Sequence, residues 1–346
     1  MRRPNIKDIA LLTGLSVATI DRAINNRGSV SNTAKDKIAL AIGELNYRAP
    51  TSPLFERKST QLRFKFILPP ARNSFSSQIV RAVTDAHLIL TDVELTIDIV
   101  HVDLEDSTAV IAAIDAVDER VHVGAALFAV DGPGIRNAID RLVDRGVKVV
   151  TVVTDIPTSK RHYFVGINNP AAGRLAASLM GKLCSGRTGK VGIITGSIKS
   201  IDQNERIATF KAVMAERYPN LRLMPPKEGF SKSELNRKIT RELINKHYDL
   251  VGIYTLSAGQ SGTLNALHET MHEDRPIIIM HEMSERIARD LRAGSIDAVI
   301  SQNPGHIARS SVRILKALHF TQPIVGSQEK IRTEIYMAEN VEDWLE

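Results

Sequence analysis

Cysteine is nearly absent from this sequence: Cys184 is the only one among 346 residues. A single thiol excludes an intrachain disulfide framework and a thiolate metal cluster. Such sparse use of cysteine is typical of proteins in a reducing cytoplasm. The ten histidines are scattered along the chain. We therefore expect neither a metal site nor a cofactor.

Long apolar runs and common catalytic loops are also missing. No run reaches the roughly 18 apolar residues that a membrane-spanning helix needs. The basic start, Met1 to Pro4, is not followed by the apolar core of a signal peptide. We expect a cytoplasmic protein with no membrane partner, rather than a secreted sugar receptor. Neither a G-x-x-x-x-G-K-[ST] phosphate loop nor a G-x-S-x-G nucleophile elbow occurs.

One catalytic pattern is present. His268, Glu269 and His272 match H-E-x-x-H, which places two zinc ligands and a general base on one helix face. The pattern lies at the end of a predicted helix, and no third ligand has an evident position. We expect no enzyme, and a zinc hydrolase that uses these three residues is kept as an alternative.

The first fifty residues predict three short helices. Asn5 is a suitable N-cap for the first, and Gly14 supplies a turn before the second, which Ser16 can cap. Ser31 can cap a third helix, whose apolar residues recur at helical spacing: Ala34, Ile38, Ala41, Ile42 and Leu45. This layout predicts a helix-turn-helix domain over residues 1–49. The alternative is a small helical bundle with no ligand.

The positive charge of the chain is concentrated in this amino-terminal part. Residues 1–62 contain ten Lys and Arg against five Asp and Glu, whereas the other 284 residues contain 35 against 34. A positive field on a helix-turn-helix domain indicates a duplex DNA partner. The basic residues that are candidates for phosphate contact are Arg2, Arg3, Lys7, Arg27, Lys35, Lys37 and Arg48.

Three strings in this region carry a family resemblance. They are Ile6-Lys-Asp-Ile-Ala10, Leu15-Ser-Val-Ala-Thr-Ile-Asp-Arg-Ala-Ile-Asn25, and Val30-Ser-Asn-Thr-Ala-Lys-Asp-Lys-Ile38 followed by Glu44-Leu-Asn-Tyr47. Together they resemble the head of the lactose-repressor (LacI) family. The likeness implies a double-stranded, near-palindromic operator and a homodimer that reads it.

The resemblance also assigns roles to single residues. Val17, Ala18 and Arg22 would reach base edges in the major groove, and Arg22 suits a guanine. Hydroxyls and an amide would donate to phosphates from Ser16, Thr19, Asn25 and Ser31. Asp21 departs from the family, in which Ser is frequent, and would repel phosphate unless it pairs with Arg22 or accepts from a cytosine.

A linker follows over residues 50–61, where Pro50 and Pro53 break the third helix. In the family, this segment forms a hinge helix on DNA and wedges a Leu into the minor groove. Glu56 stands where that Leu would fall, so Leu54 is the candidate wedge. The alternatives are that the wedge is absent or that the segment is a plain disordered tether.

Beyond residue 62, apolar strand-like runs alternate with helical stretches. The predicted strands cover residues 64–68, 95–102, 124–130, 148–153, 163–167, 191–195, 250–254, 277–280 and 297–301, and helices are predicted at 76–90, 135–145, 171–183 and 205–217. Such alternation predicts parallel sheets covered on both faces. The 284 residues are long for one sheet, which favours two lobes.

The fold class is therefore an all-α helix-turn-helix head plus an α/β body of two doubly wound parallel sheets. In the family, this body resembles a type 1 periplasmic binding protein, whose chain crosses between the lobes three times. We expect the crossings near residues 162, 292 and 321. The effector-binding and dimerisation domain would then span 62–346, with lobe 1 at about 62–162 and 293–320, and lobe 2 at about 163–292 and 321–346.

The cleft between the lobes is the expected effector site. Seven residues occupy positions that the family uses for its effector: Asn73, Phe75, Asn168, Arg206, Ser257, Glu282 and Gln302. Asn168 stands where Asp is usual, and Ser257 where Asn is frequent. An Arg and a carboxylate in one cleft suit forked hydrogen bonds to hydroxyls or to an anion. The atypical segments 254–262 and 281–283 argue against assuming lactose, ribose or a purine.

These patterns predict an effector-responsive transcriptional regulator, a repressor controlled by a small sugar-like or polyol ligand. An activator or a co-repressor-dependent regulator on the same scaffold is the alternative.

The short acidic end, with no heptad repeat, argues against a tetramerising tail. Trp344, the only tryptophan, is expected to lie far from the cleft.

Overall fold

The computed structural model describes residues 5–25, 30–45, 47, 61–90, 92–256, 258–270 and 275–344. The chain forms two compact units, a head of residues 1–61 with 92–94 and a body that contains the rest. Several predicted features lie outside the described residues: the linker up to residue 60 with Leu54, the effector candidate Ser257, His272, and the basic residues Arg2, Arg3, Arg27 and Arg48.

The head contains three helices, α1 (Ile6–Thr13), α2 (Val17–Ile24) and α3 (Asn32–Glu44). Asn5 and Asp8 form a capping box that satisfies free N–H groups at the start of α1. Gly14 ends α1 at φ 69°, in the left-handed region where glycine carries no Cβ penalty. The turn between α1 and α2 follows from this one residue.

A small apolar core joins the three helices. Ile9, Ile20, Ile24, Ile38 and Ile42 are all buried in it. Together with the smaller members of this core, they recur at three- and four-residue spacing, so each helix places one apolar stripe against the other two. The opposite faces of the helices remain in solvent.

The first lobe of the body is built on a five-stranded sheet. Its strands are β1 (Gln61–Leu68), β2 (Glu94–His101), β3 (Gly124–Leu127), β4 (Lys148–Val152) and β5 (Tyr163–Val165), in the spatial order β2-β1-β3-β4-β5. The helices between these strands are α4 (Ser74–Asp85), α5 (Ser107–Asp115) and α6 (Pro133–Asp144). The lobe core packs Ile67, Leu127 and Val149 against Ile114 and Leu142.

The remaining elements begin with α7 (Asn169–Leu183), β6 (Gly189–Thr195), α8 (Ile201–Arg217), β7 (Leu221–Leu223), β8 (Lys227–Glu228), α9 (Ser233–Lys246), β9 (Leu250–Thr255) and α10 (Gln260–Thr270). They continue with β10 (Ile277–His281), α11 (Glu285–Arg292), β11 (Ala298–Gln302), α12 (Pro304–His319), α13 (Gly326–Glu329) and β12 (Thr333–Tyr336). Strands β7, β8 and β12 are short, and the sequence pattern did not predict them.

The second lobe contains a seven-stranded sheet. Its order is β12-β11-β10-β9-β6-β7, and β8 also pairs with β6. Strand β12 is antiparallel to β11, whereas the pairings of β10 with β9 and β11 and of β6 with β9 are parallel. The core of this lobe includes Ile253, Ile278, Leu264 and Leu291.

The lobe crossings fall later in the chain than expected. β5 pairs in parallel with β4 of the first sheet, so the first crossing follows Val165 rather than residue 162. β11 pairs with β10 of the second sheet, so the second crossing follows Gln302 rather than residue 292. Helix α12 then packs on α4, β3 and β4 of the first lobe. Helix α13 still packs on α12, where Glu329 forms an ion pair with Arg313 at 2.8 Å, so the third crossing lies between α13 and β12, after residue 329 rather than near residue 321.

Within the described ranges, every helix is too short or too polar to span a lipid bilayer.

Candidate functional site

Helix α2 of the head divides sharply into a buried and an exposed face. Ile20, Ala23 and Ile24 are buried, whereas Val17 is 45% exposed and Ala18 and Arg22 are also exposed. Arg22 uses Nε to donate to the carbonyl of Ala18, at 3.2 Å. The three residues predicted to read base edges therefore share the solvent face of one helix.

Three of the four predicted phosphate donors, Ser16, Thr19 and Ser31, lie at helix starts. Ser16 Oγ accepts from Thr19 N at 3.1 Å and lies 2.8 Å from Thr19 Oγ1, and Ser31 Oγ accepts from Ala34 N at 3.3 Å. Each serine is therefore the N-cap of the following helix. Free backbone N–H groups at helix starts favour anions, so both positions suit a phosphate.

Asp21 has a partner that the sequence analysis did not anticipate. Asn25 Nδ2 donates to Asp21 Oδ1 at 2.8 Å and to the Asp21 carbonyl at 3.1 Å. The carboxylate is thus paired with Asn25 rather than with Arg22. One amide hydrogen of Asn25 is used inside the helix, which reduces what this residue offers to a phosphate.

A cavity of about 1030 Å³ lies between the two lobes of the body. It opens at the carboxyl ends of β1, β3, β4, β9, β10 and β11, where Pro69, Phe128, Val153, Leu256, His281 and Gln302 line it. Ligands of open α/β sheets bind at this end of the strands. The volume and the mixture of apolar and polar side chains suit a small organic molecule.

Arg206, on the first turns of α8, is the central buried cation of the cavity. It is 3% exposed, and its Nε donates to Asn169 Oδ1 at 2.9 Å. Nη1 lies 3.1 Å from His281 Nδ1, and Nη2 lies 3.9 Å from a carboxylate oxygen of Asp202. The predicted effector residue Arg206 is therefore held at a fixed orientation by three neighbours.

His281 continues this chain of contacts beneath the cavity. Burial lowers the pKa of His281 well below its usual value, so the ring is neutral. An arginine can only donate, so Nδ1 must accept from Arg206. The ring proton is then on Nε2, which lies 2.7 Å from the hydroxyl of Tyr254. Tyr254 in turn stacks on Phe210, with ring centroids 4.5 Å apart.

Glu282 and Gln302, both predicted effector residues, meet inside the cavity. Gln302 Nε2 donates to Glu282 Oε1 at 2.9 Å, and the Gln302 backbone N–H donates to Oε2 at 3.3 Å. Burial raises the pKa of Glu282 to about 7, against the opposing effect of the Arg206 charge. Gln302 is 2% exposed, and its Oε1 has no hydrogen-bond partner within the part of the chain that the structure describes. A ligand hydroxyl would satisfy this buried acceptor.

Asn73 and Phe75 also line the cavity, at the start of α4. Asn73 Oδ1 accepts from Ser76 N at 2.8 Å and so serves as the helix cap. One turn later, Gln78 Nε2 donates to the carbonyl of Met283 at 2.8 Å, which joins the first lobe to the second. Sequence reasoning missed Gln78, because nothing local in α4 indicates a partner 205 residues away.

Asn168, a predicted effector residue, lies at the start of α7. Asn168 is exposed, lies outside the cavity lining, and caps α7 by accepting from Ala171 N at 2.8 Å. Asn169 is the buried residue that accepts from Arg206. A helix start turns successive side chains by about 100°, so Asn168 caps α7 while Asn169 faces Arg206 on α8. His281 and Tyr254 belong to the segments 254–262 and 281–283 that the sequence analysis assigned to the cleft, but neither was named as an effector residue.

Backbone strain is concentrated around the cavity. Val153, Ser231 and Glu282 all line it and have φ values of 67°, 54° and 65°. A β-branched residue such as Val153 pays a steric cost in this region. Strain of this kind persists where the surroundings enforce it and is typical of ligand sites.

Trp344 was expected to lie far from the cleft, and this expectation is wrong. It lines the cavity and packs edge-on against Tyr336, with centroids 6.2 Å apart. The chain returns to the second lobe after α12, and the sequence alone does not reveal that the return ends beside the cavity.

The H-E-x-x-H residues that the structure describes are engaged elsewhere. His268 Nε2 lies 2.8 Å from Asp290 Oδ1, and Glu269 forms ion pairs with Arg237 at 2.6 Å and Arg241 at 3.8 Å. Among the described residues, no cluster of three or more potential ligands could hold a metal ion. A glutamate paired with two arginines is poorly suited to act as a general base.

Two family models match the chain. Bacterial regulatory proteins of the lacI family match residues 5–49, and the periplasmic binding protein domain matches residues 64–320. The two matches coincide with the helical head and with most of the two-lobed body. The second covers about three quarters of the sequence.

Curated relatives include the ribose operon repressor of Lactococcus lactis subsp. lactis, 21% identical over 296 residues, which covers 85% of this chain and 81% of the repressor. The transcriptional repressor PurR of Vibrio parahaemolyticus is 26% identical over 221 residues, 61% of this chain and 60% of PurR.

Among solved structures, a glucose-galactose binding protein from Geobacillus stearothermophilus superposes with a TM-score of 0.71 at 20% identity, covering 82% of this chain and all of that one (100%). A solute-binding protein from Burkholderia graminis in complex with D-arabinose gives 0.72 at 20% identity, covering 83% and 99%. These likenesses establish the fold of the body.

Proposed function

The chain belongs to the lacI family of bacterial regulatory proteins and carries a periplasmic binding protein domain, and from this premise we propose that it represses transcription under the control of a small ligand. The observation that carries the proposal is that one chain holds both an exposed helix-turn-helix face and a large cleft between two lobes. A DNA-binding protein without a sensor would not need the cleft, and a binding protein without a DNA target would not need the helix-turn-helix face. A sensor of this build links a metabolite to a DNA site.

We propose that Val17, Ala18 and Arg22 read base edges of an operator in the major groove. Their shared exposure on α2 supports this assignment. Arg22 suits a bidentate contact with guanine, which is worth about 1–3 kcal/mol of discrimination. Phosphate contacts would come from Ser16, Thr19, Asn25 and Ser31, with Asn25 the weakest candidate because of its bond to Asp21. A minor-groove wedge at Leu54 stays a prediction.

The ligand that we propose for the cleft is a sugar-like or polyol compound. Two features of the cavity support hydroxyl recognition: the unsatisfied Oε1 of Gln302 and the neighbouring Glu282 carboxylate. The apolar rings of Phe75 and Phe128 line the same cavity and suit the C–H faces of a sugar. Of the other predicted ligand residues, Arg206 and Asn73 also line the cavity, whereas Ser257 lies outside the described residues.

We propose that two chains form a homodimer, because a near-palindromic operator needs two heads related by a two-fold axis. Ligand binding would change the populations of two arrangements that differ in affinity for the operator. The same head and cleft would serve whether the ligand weakens or strengthens operator binding. An activator or a co-repressor-dependent regulator is therefore the second candidate. We place this activity in the cytoplasm because its partner is the operator.

The test is operator selection followed by competition. Duplexes selected from a random pool should bind the wild-type chain in the presence of random competitor DNA. Arg22→Ala should weaken binding to the selected duplex by about tenfold or more, since it removes a bidentate base contact. Arg217→Ala, at an exposed arginine of the body, is the matched control and should bind as wild type.

Failure of the wild-type chain to prefer any duplex would contradict the proposal. In the zinc-hydrolase alternative, Arg22→Ala has no effect and Glu269→Gln abolishes activity. The ion pairs of Glu269 with Arg237 and Arg241 do not favour that alternative.

A further inference from the structure

The charged side chains around the cavity are unbalanced. Among the lining residues that the structure describes, five are arginines (Arg72, Arg81, Arg206, Arg286 and Arg289) and three are carboxylic acids (Asp202, Glu282 and Glu285). The arginines come from both lobes. A neutral sugar would leave this excess of positive charge uncompensated.

The arginines differ in how well they are neutralised. Arg72 forms an exposed ion pair with Asp103 at 3.4 Å, which is worth little in water. Arg286 donates to Asn265 Oδ1 at 2.5 Å and lies 3.8 Å from Asp290. Arg81 and Arg289 make no ion pair or side-chain hydrogen bond with any residue in the described ranges. Two cations of the cavity are therefore available to a ligand.

These two cations flank the contact between the lobes. On α4, Ser74, Gln78 and Arg81 share one helix face and all line the cavity. Gln78 donates to the carbonyl of Met283, and α11 begins two residues later and carries Arg286 and Arg289 into the same cavity. Arg81 of one lobe and two arginines of the other therefore line the cavity near this contact. Like charges on the two lobes disfavour their approach, and Glu285 offsets part of this charge.

Gln302 and Glu282, elsewhere in the cavity lining, offer hydrogen-bond acceptors. Gln302 presents its unpartnered Oε1, and Glu282 accepts from Gln302 rather than from an arginine. These are acceptors for hydroxyl groups. A ligand that satisfies both these acceptors and the arginines needs hydroxyls together with a negative charge.

We propose that the ligand is a polyhydroxy compound bearing an anionic group, a carboxylate or a phosphate, and that this group bridges Arg81 of the first lobe and Arg286 and Arg289 of the second. The proposal rests on the proposed function, because it specifies the ligand of the same cleft. A guanidinium group can form two parallel hydrogen bonds with either a carboxylate or a phosphate. An anion bound between the lobes would attract the arginines of both lobes and so favour their approach. The two anion types share this chemistry.

The first experiment compares matched compounds by calorimetric titration and thermal shift on the full chain. The sets are D-glucose, D-gluconate and D-glucose 6-phosphate, and D-ribose, D-ribonate and D-ribose 5-phosphate. An anionic member should bind at least tenfold more tightly than its neutral partner, and its binding should weaken as salt is raised. Comparison of carboxylates with phosphates identifies the anion type.

The second experiment uses inorganic phosphate as a probe that needs no knowledge of the sugar. At equal ionic strength, phosphate should stabilise the body of the wild-type chain more than chloride does. The double variant Arg81→Gln/Arg289→Gln should lose this difference, and its affinity for the anionic compound should fall at least tenfold. Both residues lie on helix surfaces and are not buried, so the variant should fold. Arg217→Gln, outside the cavity, is the control and should retain both properties.

Operator binding is measured in parallel. A chain that binds its operator but is stabilised only by neutral compounds, or by none of the panel, would overturn the anionic assignment and leave the proposed function standing. An unchanged response of the double variant to both the anionic compound and phosphate would also overturn it. Loss of all sequence-specific DNA binding in the wild-type chain would instead refute the proposed function.

Discussion

Glu282 shows how the cavity changes the chemistry of one side chain. Its carboxyl is enclosed by Gln302 and Ser301, and burial raises its pKa to about 7 in spite of the nearby Arg206 charge. Near neutral pH, the group is therefore divided between its neutral and charged forms. In its neutral form it can donate to a ligand oxygen, and in its charged form it can only accept.

Glu282 should leave a signature in the pH dependence of stability. The folded chain binds its proton more tightly than the unfolded chain, so this residue's contribution to the free energy of unfolding falls as pH rises from about 4.5 to about 7. We expect the stability difference between wild type and Glu282→Gln to shift by about 2–3 kcal/mol against wild type across this range. Urea denaturation at a series of pH values measures it.

The neutral His281 acts in the opposite direction. Its pKa is lowered by burial, so the unfolded chain binds its proton more tightly and stability rises with pH up to the usual histidine pKa. Taking the difference between wild type and Glu282→Gln removes this contribution. Glu285→Gln, at an exposed neighbour, controls for the loss of a formal charge. A difference that does not vary with pH would contradict the prediction.

At the scale of single residues, the sequence predicted residue types better than contacts. Arg206, Glu282 and Gln302 were placed at strand or helix ends, and all three line the cavity. The sequence did not predict that Asn168 caps α7, because the choice between a cap and an inward contact depends on where the helix begins. The bond between Asn25 and Asp21 likewise depends on side-chain rotamers that a sequence does not specify.

At the scale of elements, the close approach of α7 and α8 positions Arg206. A Cβ at Gly173 would lie 2.2 Å from the carbonyl oxygen of Arg206 and 2.2 Å from Thr209 Oγ1. Only glycine permits the two backbones to lie this close. The contact brings Asn169, at the start of α7, within reach of Arg206 on α8.

Gly173→Ala should therefore affect both stability and ligand binding. The added methyl group meets backbone, so the helices must separate, and we expect a loss of about 1–3 kcal/mol in the free energy of unfolding. Ligand affinity should fall as well, because the Asn169 contact with Arg206 lengthens. Denaturant unfolding and calorimetric titration measure the two effects.

Gly326→Ala is the matched control, because a Cβ there meets no atom within 4 Å. It should leave stability unchanged or raise it slightly, by less than about 1 kcal/mol. If Gly173→Ala were as harmless as this control, α7 and α8 would not be held at the distance described.

Helices and strands were the most predictable level of the structure. Caps such as Asn5 and Ser16 and the apolar spacing of α2 are local, and they appear in the fold as expected. Membership of a lobe is not local, since β5 and β11 belong to their sheets through pairing with β4 and β10. The sequence therefore predicted the strands but placed the crossings between the lobes too early in the chain.

At the scale of the whole molecule, the proposed regulator has two binding sites on one chain. If the ligand alters operator affinity, thermodynamic linkage requires the operator to alter ligand affinity by the same factor. Trp344 supplies an optical signal for this measurement, because the only tryptophan lines the cavity. Its fluorescence should change when the cleft fills.

We expect the ligand dissociation constant, measured by Trp344 fluorescence with the most strongly stabilising compound of the panel, to differ by about 5- to 150-fold between the free chain and the chain saturated with operator. The operator constant, measured by anisotropy of a labelled duplex, should change by the same factor. Trp344→Phe should lose the optical signal and keep operator binding. Equal ligand affinity with and without operator would show that the two sites are uncoupled.

Helix α12 has a consequence for how the protein is made. It belongs to the first lobe, where Leu315 packs against the position of Gly124 in β3, yet it is encoded after nearly all of the second lobe. During synthesis, the sheet of the first lobe therefore stays partly uncovered until residue 319, the end of α12, has left the ribosome. A nascent chain stalled before that point would expose an apolar surface and would be a natural client for chaperones.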